Sequence, residues 1–277
     1  MNELEMKKEK AYDLYMKGLS IGKASNEAGI DERTLSRLLK KRNIDTTIHS
    51  RKYRFNEDYF KKIDTEDKAY WLGFIYADGC VRENQGKNKN KGLGLEISLK
   101  ESDKSHLEKF INQLGIRDSS IIKRRVIKLK NKEYVAYKVV INSTKLCKDL
   151  ITNGATPRKS LTLQFPSKEI IQDDLLNHFI RGYFDGDGNV GVRNTQRYKN
   201  CPRITVLGTE AFLSDLKNHL EEVFQVTSVK IQRKKDNKAF SYQKTGNDAR
   251  KILSYMYNGA SVYLERKYEE YKRILPY

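Results

Sequence analysis

Residues 179–191 read FIRGYFDGDGNVG, an apolar, helix-like run that ends in two aspartates separated by one glycine. The carbonyl end of a helix carries partial negative charge, so an acid in its last turn costs about 0.3–1 kcal/mol unless something compensates. Residues 71–81, WLGFIYADGCV, close another apolar run on Asp78 and Gly79 in the same arrangement. One such acid beside a cap glycine reads as an exposed helix-end residue. Two, at matched positions, require a reason.

Outward from these stretches the chain repeats itself. After Asp78, residues 81–85 and LGLEISLK (93–100) alternate as half-buried strands do, and a helix is expected from Ser102 to Leu114. SIIKRRVIKLK (120–130) and EYVAYKVVI (133–141) form a second strand pair, and STKLCKDLITNG (143–154) a closing helix. After Asp187 the order recurs: NVGVRNTQR (189–197), PRITVLG (202–208), a helix from Thr209 to Phe224, VKIQRKKD (229–236), AFSYQKTG (239–246) and DARKILSYMYNG (248–259). Asp78 and Asp187 lie 109 residues apart, the NGA triplets at Asn153 and Asn258 lie 105 apart, and Lys159 and Lys267 lie 108 apart. Near-constant offsets over two copies describe one duplicated unit, a pseudo-dimer rather than a solenoid.

Small residues fall four apart within each acidic-ended helix: Gly73 and Ala77 in the first, Gly182 and Gly186 in the second. That spacing puts both on one face and allows close helix packing. Packed as symmetry partners, the helices bring Asp78 and Asp187 together, with Gly79 and Gly188 expected to turn the chain sharply. Two carboxylates and two negative helix ends repel unless a cation joins them. Few, oxygen-only ligands suit Mg²⁺, with Mn²⁺ as a substitute. DGDGNVG does not make a calcium loop, because Val190 stands where glycine is required and Gln196 where a bidentate glutamate belongs.

The 277 residues carry a net charge of +18, which points to nucleic acid as the partner. Residues 1–54 hold 13 basic and 8 acidic side chains, so most of the surplus lies further on. Cys80, Cys147 and Cys201 lack the spacing of a disulfide framework or zinc site, and four isolated histidines offer no metal motif. No apolar run approaches the ~20 residues that span a bilayer, and the charged start is unlike a secretory signal; a cytoplasmic protein, or one in the compartment of its target DNA, is expected.

Residues 3–42 read as three short helices, the first stopping at Gly18, the second at Gly29 and the third capped by Asp31. MKGLSIGKASNEAGIDERTLSRLLKKRNI (16–44) resembles a helix-turn-helix of the resolvase and repressor type, with Arg33, Thr34 and Arg37 spaced to reach DNA from the third helix. The same punctuation occurs in plain packing modules. HSRKYRF (49–55) reads as a basic linker, tracking a groove or merely solvated.

WLGFIYADG and IRGYFDGDG together resemble the two signature helices of a single-chain, double-motif LAGLIDADG homing endonuclease. The resemblance implies an α+β fold of two pseudo-symmetric αββαββα halves forming a DNA-binding saddle, behind the small helix-turn-helix domain. It implies Mg²⁺-dependent cleavage of both strands of a long duplex site across the minor groove, by a monomer with internal pseudo-two-fold symmetry. The expected division is residues 1–48 for the helix-turn-helix, 49–63 for the linker, and 64–165 and 166–277 for the halves. Asp78 and Asp187 are then metal-binding and catalytic, and Lys159 and Lys267 take the family's catalytic lysine positions, though either also reads as a basic surface residue. Lys100 falls where a polar residue near the first-half centre would be expected, but its counterpart is read as Gly208, which hints at two unequal centres. Tyr76 against Asp185 is a second asymmetry.

Strand alternation groups Arg193, Thr195 and Arg197, then Arg124, Lys128 and Lys130, Lys230 and Lys234, and Arg203 and Thr205 on polar faces suited to a DNA groove. A non-cleaving regulator on the same scaffold and an intron RNA maturase are the rival readings. An intein is disfavoured, since no splicing nucleophile opens the sequence and RILPY closes it.

Overall fold

A computed structural model describes residues 3–17, 19–44, 55–83, 92–129, 132–194, 199–234 and 239–275. The chain divides into two compact units, residues 1–55 and 56–277.

In the first unit, α1 (Glu3–Met16), α2 (Ile21–Ala28) and α3 (Glu32–Lys41) enclose a small core of Ala11, Tyr15, Ala24, Ala28, Leu35 and Leu39. Local chemistry sets the breaks. Ser20 and Asp31 cap α2 and α3 by accepting the backbone N–H groups of Lys23 and Arg33, and Gly29 ends α2 at φ 70°, where only a glycine is unstrained. Gly18, the expected stop of the first helix, lies outside the described residues.

The second unit holds the duplication, with two four-stranded antiparallel sheets. Its first half runs α4 (Glu66–Asp78), β1 (Gly79–Glu83), β2 (Leu93–Lys100), α5 (Lys104–Gln113), β3 (Lys123–Leu129), β4 (Lys132–Asn142) and α6 (Thr144–Thr152). The second runs α7 (Leu176–Asp187), β5 (Gly188–Arg193), β6 (Cys201–Gly208), α8 (Glu210–Phe224), β7 (Gln232–Arg233), β8 (Phe240–Thr245) and α9 (Gly246–Tyr257). The strand orders correspond, β1-β2-β4-β3 and β5-β6-β8-β7. Each sheet packs one face on its helices through alternate residues: Leu95, Ile97 and Val139 in one, Ile204, Val206 and Tyr242 in the other.

Three features depart from the sequence reading. An extra helix, α10 (Glu265–Ile274), follows the αββαββα elements within the expected second half, and it carries Lys267. Residues 56–63, expected to be linker, are part of the second unit: Asn56 N donates to Leu114 O at 2.8 Å, and Tyr59, Phe60 and Ile63 are buried. The expected strand over 229–236 is only Gln232–Arg233 among the described residues.

Candidate active site at the joined ends of α4 and α7

The two acidic-ended helices form the seam between the halves, and they meet backbone to backbone. A Cβ on Gly73 would stand well under 3.0 Å from the Phe179 carbonyl and 2.9 Å from Tyr183 N. Its symmetry partner Gly182 would clash equally with the Tyr70 carbonyl and come 2.9 Å from Phe74 N. One turn on, Gly186 faces the Ala77 methyl, and a Cβ there would lie 3.3 Å from Asp78 Oδ2. Four small residues therefore lie in one contact line, and Asp78 and Asp187 emerge at its end. Both follow directly into strands.

The glycines after the acids act otherwise than expected. Gly79 (φ −80°) and Gly188 (φ −93°) are extended, not left-handed. Each is needed for clearance: a Cβ would press on Ile75 in the first case and Phe184 in the second, one turn back.

Each helix end meets an ammonium group. Lys159, on a short 3₁₀ turn (Lys159–Leu161), donates to Gly79 O at 2.5 Å and Ala77 O at 3.4 Å. Lys267, only 2% exposed, donates to Phe184 O (2.5 Å), Asp185 O (2.7 Å) and Gly188 O (2.6 Å). A cation there offsets the negative helix terminus. The three N–H groups of Lys267 are all engaged, so it presents a fixed charge. Lys159 has two carbonyl acceptors.

Burial dominates the electrostatics of the two carboxylates. Burial, and then repulsion from Asp187, push Asp78 up to about 6, against the pull of Lys267 and Lys159. Burial likewise raises Asp187, opposed by Lys159 and Lys267. Asp78 still reaches solvent on one side while protein crowds the others. Burial lowers Lys267 to about 8 and also lowers Lys159. No cluster of three or more His, Cys, Asp or Glu side chains suited to a metal occurs among the described residues. The donor set is thus two under-neutralised carboxylates, which fits Mg²⁺ that keeps water or phosphate oxygens in its remaining positions and does not fit a caged zinc.

A buried polar network beside this site was not foreseen. Asp185, fully buried, accepts hydrogen bonds from Tyr70 Oη (2.6 Å), Tyr257 Oη and Leu264 N (2.8 Å). Burial raises its pKa, and Lys267 and these three donors oppose the rise. Tyr70 Oη also meets His106 Nε2 at 3.0 Å, and burial holds that imidazole neutral, with its pKa lowered to about 3. Arg181, also fully buried, bonds Val262 O, Met256 O, His178 Nδ1 and Glu66 Oε1 at 2.7–3.0 Å. The signal in the sequence was Arg181 and Asp185, charged residues set among the apolar Phe179, Ile180, Tyr183 and Phe184.

Beside Asp187 the second sheet opens into a concavity of about 520 Å³ lined by Asn189, Gly191, Arg193, Arg203, Thr205 and Lys234 among others. Arg203 Nη2 bonds Gln243 Oε1 at 3.1 Å. Lys230 is exposed but lies outside a strand, and Thr195, Arg197 and Lys130 fall outside the described residues. In the first sheet, register corrects the alternation: Arg124 pairs with Tyr137 and Lys128 with Glu133, which puts them on the face of Leu99 and Val139 that packs on helices. The open face there carries Arg125, Lys123, Lys138 and Lys100. β3 is exposed on both faces, so no buried side fixes its phase in the sequence. Register also moves the partner of Lys100. Gly79 pairs with Ile97 and Gly188 with Val206, an offset of 109 that matches Lys100 to Thr209, not Gly208.

In the separate N-terminal unit, Arg33 and Arg37 are exposed on α3, while Thr34 and Arg37 line a groove against Leu4, Glu5 and Lys8 of α1.

Residues 174–258 match the family described as LAGLIDADG-like domain. That segment runs from the start of α7 to the end of α9. Over a longer stretch, the chain shares its fold with the homing endonuclease I-WcaI bound to its DNA recognition sequence, at 13% identity over 76% of this chain and 91% of that one (TM-score 0.50). LAGLIDADG meganuclease I-AabMI bound to uncleaved DNA is 18% identical over 75% and 89% of the two chains (TM-score 0.48), and I-GzeII in complex with its DNA target is 16% identical over 74% and 88% (TM-score 0.48). No curated protein sequence matches the chain.

Proposed function

We propose that the chain is a site-specific DNA endonuclease of the LAGLIDADG homing type, making Mg²⁺-dependent double-strand breaks at a long duplex site. The observation that carries this reading is the pair of carboxylates, Asp78 and Asp187, at the end of a seam where glycines let the two helix backbones touch, each half adding one lysine. A structural role needs neither acid at a negative helix end, where both are electrostatically unfavourable. The fold shared with a DNA-bound homing endonuclease, the net charge of +18 and the basic open sheet faces support duplex DNA as substrate.

In this reading Asp78 and Asp187 would hold the metal, which would supply an activated water and neutralise charge on the phosphate and leaving oxygen. Lys267 contributes positive potential from a fixed place, since its donors are occupied. Lys159, with two carbonyl acceptors, retains a donor for water or phosphate. Arg193, Arg203, Thr205 and Lys234 on the second sheet, and Arg125 and Lys100 on the first, face the duplex. The N-terminal unit, through Arg33 and Arg37, extends the footprint as a helix-turn-helix.

The test is selection of bound duplexes from a random pool, then incubation with Mg²⁺ or Mn²⁺. The parent protein cuts both strands; Asp78→Asn and Asp187→Asn bind the same duplexes and lose cutting by about 10³-fold or more. Tight binding without cutting by the parent assigns the chain as a regulator instead. Stronger binding to intron RNA than to the selected duplex assigns it as a maturase.

A further inference from the structure

The two halves place their lysines by the same device made from different chemistry. In each, the side chain two residues before the metal-binding aspartate turns inward and grips the segment that carries the lysine. In the first half this is Tyr76, 2% exposed, whose hydroxyl donates to Asn153 O at 2.6 Å. Gly154, next in the chain, sits at φ 88° with no room for a Cβ beside that hydroxyl. The turn so held runs into Arg158, itself left-handed at φ 58°, and then Lys159. In the second half the position is Asp185, which accepts from Leu264 N. Leu264 is the N-cap residue of α10, a helix with no side-chain cap of its own. A carboxylate at that helix start both satisfies an orphan N–H and complements the positive end of the dipole. Lys267 follows three residues later, in the first turn.

We propose that Tyr76 and Asp185 are positioning residues, each setting the ammonium of its own half against the end of the metal-bearing helix. The grips differ in strength. Tyr76 holds a carbonyl through one neutral hydrogen bond, whereas Asp185 is a carboxylate with three donors and thus a charge-assisted clamp. Elsewhere on α10, Lys109 with Glu265 and Arg266 with Asp103 are partly exposed ion pairs and weaker anchors, while Tyr271 and Ile274 are buried further along the helix. This assignment rests on the nuclease reading for its effect on strand cleavage, but not for its effect on the lysines.

Two measurements on the full chain test it. The first is reductive methylation with formaldehyde and a borohydride, read residue by residue by mass spectrometry, with neither metal nor DNA present. Asp185→Asn and the milder Tyr257→Phe, which removes one donor to Asp185, are expected to raise the labelling rate of Lys267 about tenfold and leave Lys159 within about twofold. Tyr76→Phe is expected to do the reverse. Lys267 remaining as shielded in both variants as in the parent, or both lysines changing together in every variant, overturns the proposal. Should Asp185→Asn fail to fold, Tyr257→Phe and Tyr76→Phe carry the test. The second measurement is strand-resolved cleavage of a selected, end-labelled duplex. Asp185→Asn slows one strand about 100-fold and Tyr76→Phe slows the other about fivefold, with duplex affinity unchanged. The same strand slowed by both overturns the proposal. A parent that never cuts removes the nuclease reading alone, and the labelling still decides the positioning.

Discussion

The two halves share a strand order and a packing line but fill their interiors differently. α4 is apolar throughout its buried length, with Leu72 where α7 has Arg181 and Tyr76 where α7 has Asp185. The first half ends its lysine segment in a short 3₁₀ turn; the second adds the ten-residue α10. Conserving the seam while changing what lies behind it separates two demands. Close approach of the helices depends on backbone shape, which only small residues permit. Fixing the lysines depends on polar anchors, for which either a phenol or a carboxylate serves.

The seam itself is where the halves should prove equal, and where the largest effects belong. Gly73→Ala and Gly182→Ala each force a methyl onto a partner carbonyl and are expected to destabilise the protein by about 3–5 kcal/mol, seen in urea unfolding. A cost confined to one of the two would break the symmetry. Arg181→Leu rebuilds the second half in the image of Leu72 and strands the carbonyls of Val262 and Met256; a loss of about 2–4 kcal/mol is expected, read by the same titration. A neutral outcome would mean that the buried network is dispensable to the fold.

The pH dependence of stability sharpens the comparison of the two charge types. Asp78 holds its proton up to about 6 in the native chain, against 3.8 when unfolded, so the metal-free protein loses stability as pH rises through that window. Lys267, lowered to about 8 from 10.5, has the opposite sign, and stability recovers as pH rises between those values. Asp78→Asn should flatten the acid limb and raise the metal-free Tm at pH 7 by about 2–4 °C. Saturating Mg²⁺ should stabilise the parent and not this variant. At the small end, Thr65→Ala removes the side-chain cap of α4 and costs about 1 kcal/mol. Gly191→Ala, on the open sheet face with nothing within 4 Å of the added methyl, stays within about 0.5 kcal/mol of the parent.

The duplication, the order of strands and the seam were legible because each has a periodic signature: alternation in LGLEISLK and PRITVLG, and small residues at intervals of four in the two acidic helices. Asp78 and Asp187 stood out through their unfavourable place at a helix end. The partners of Asp185 did not, because Tyr70 and Leu264 are brought to it from 115 and 79 positions away, and no local pattern marks a hydroxyl or amide that will be buried. α10 was hidden by its composition, since ERKYEEYKRI buries only Lys267, Tyr271 and Ile274 and otherwise reads as solvated charge. The phase of β3 was lost for a related reason. With basic residues on both exposed faces, a shift of one position leaves the pattern unchanged.

Arg181 and Asp185 also bear on the history of the duplication. Each takes one partner from across the seam, Glu66 for Arg181 and Tyr70 for Asp185, and the others from its own half. Were two second halves to associate, the matching positions would hold Leu175 and Phe179, so Arg181 would lose one acceptor and Asp185 one donor. The divergence of these two positions therefore favours the pairing of unlike halves over an assembly of two identical second halves.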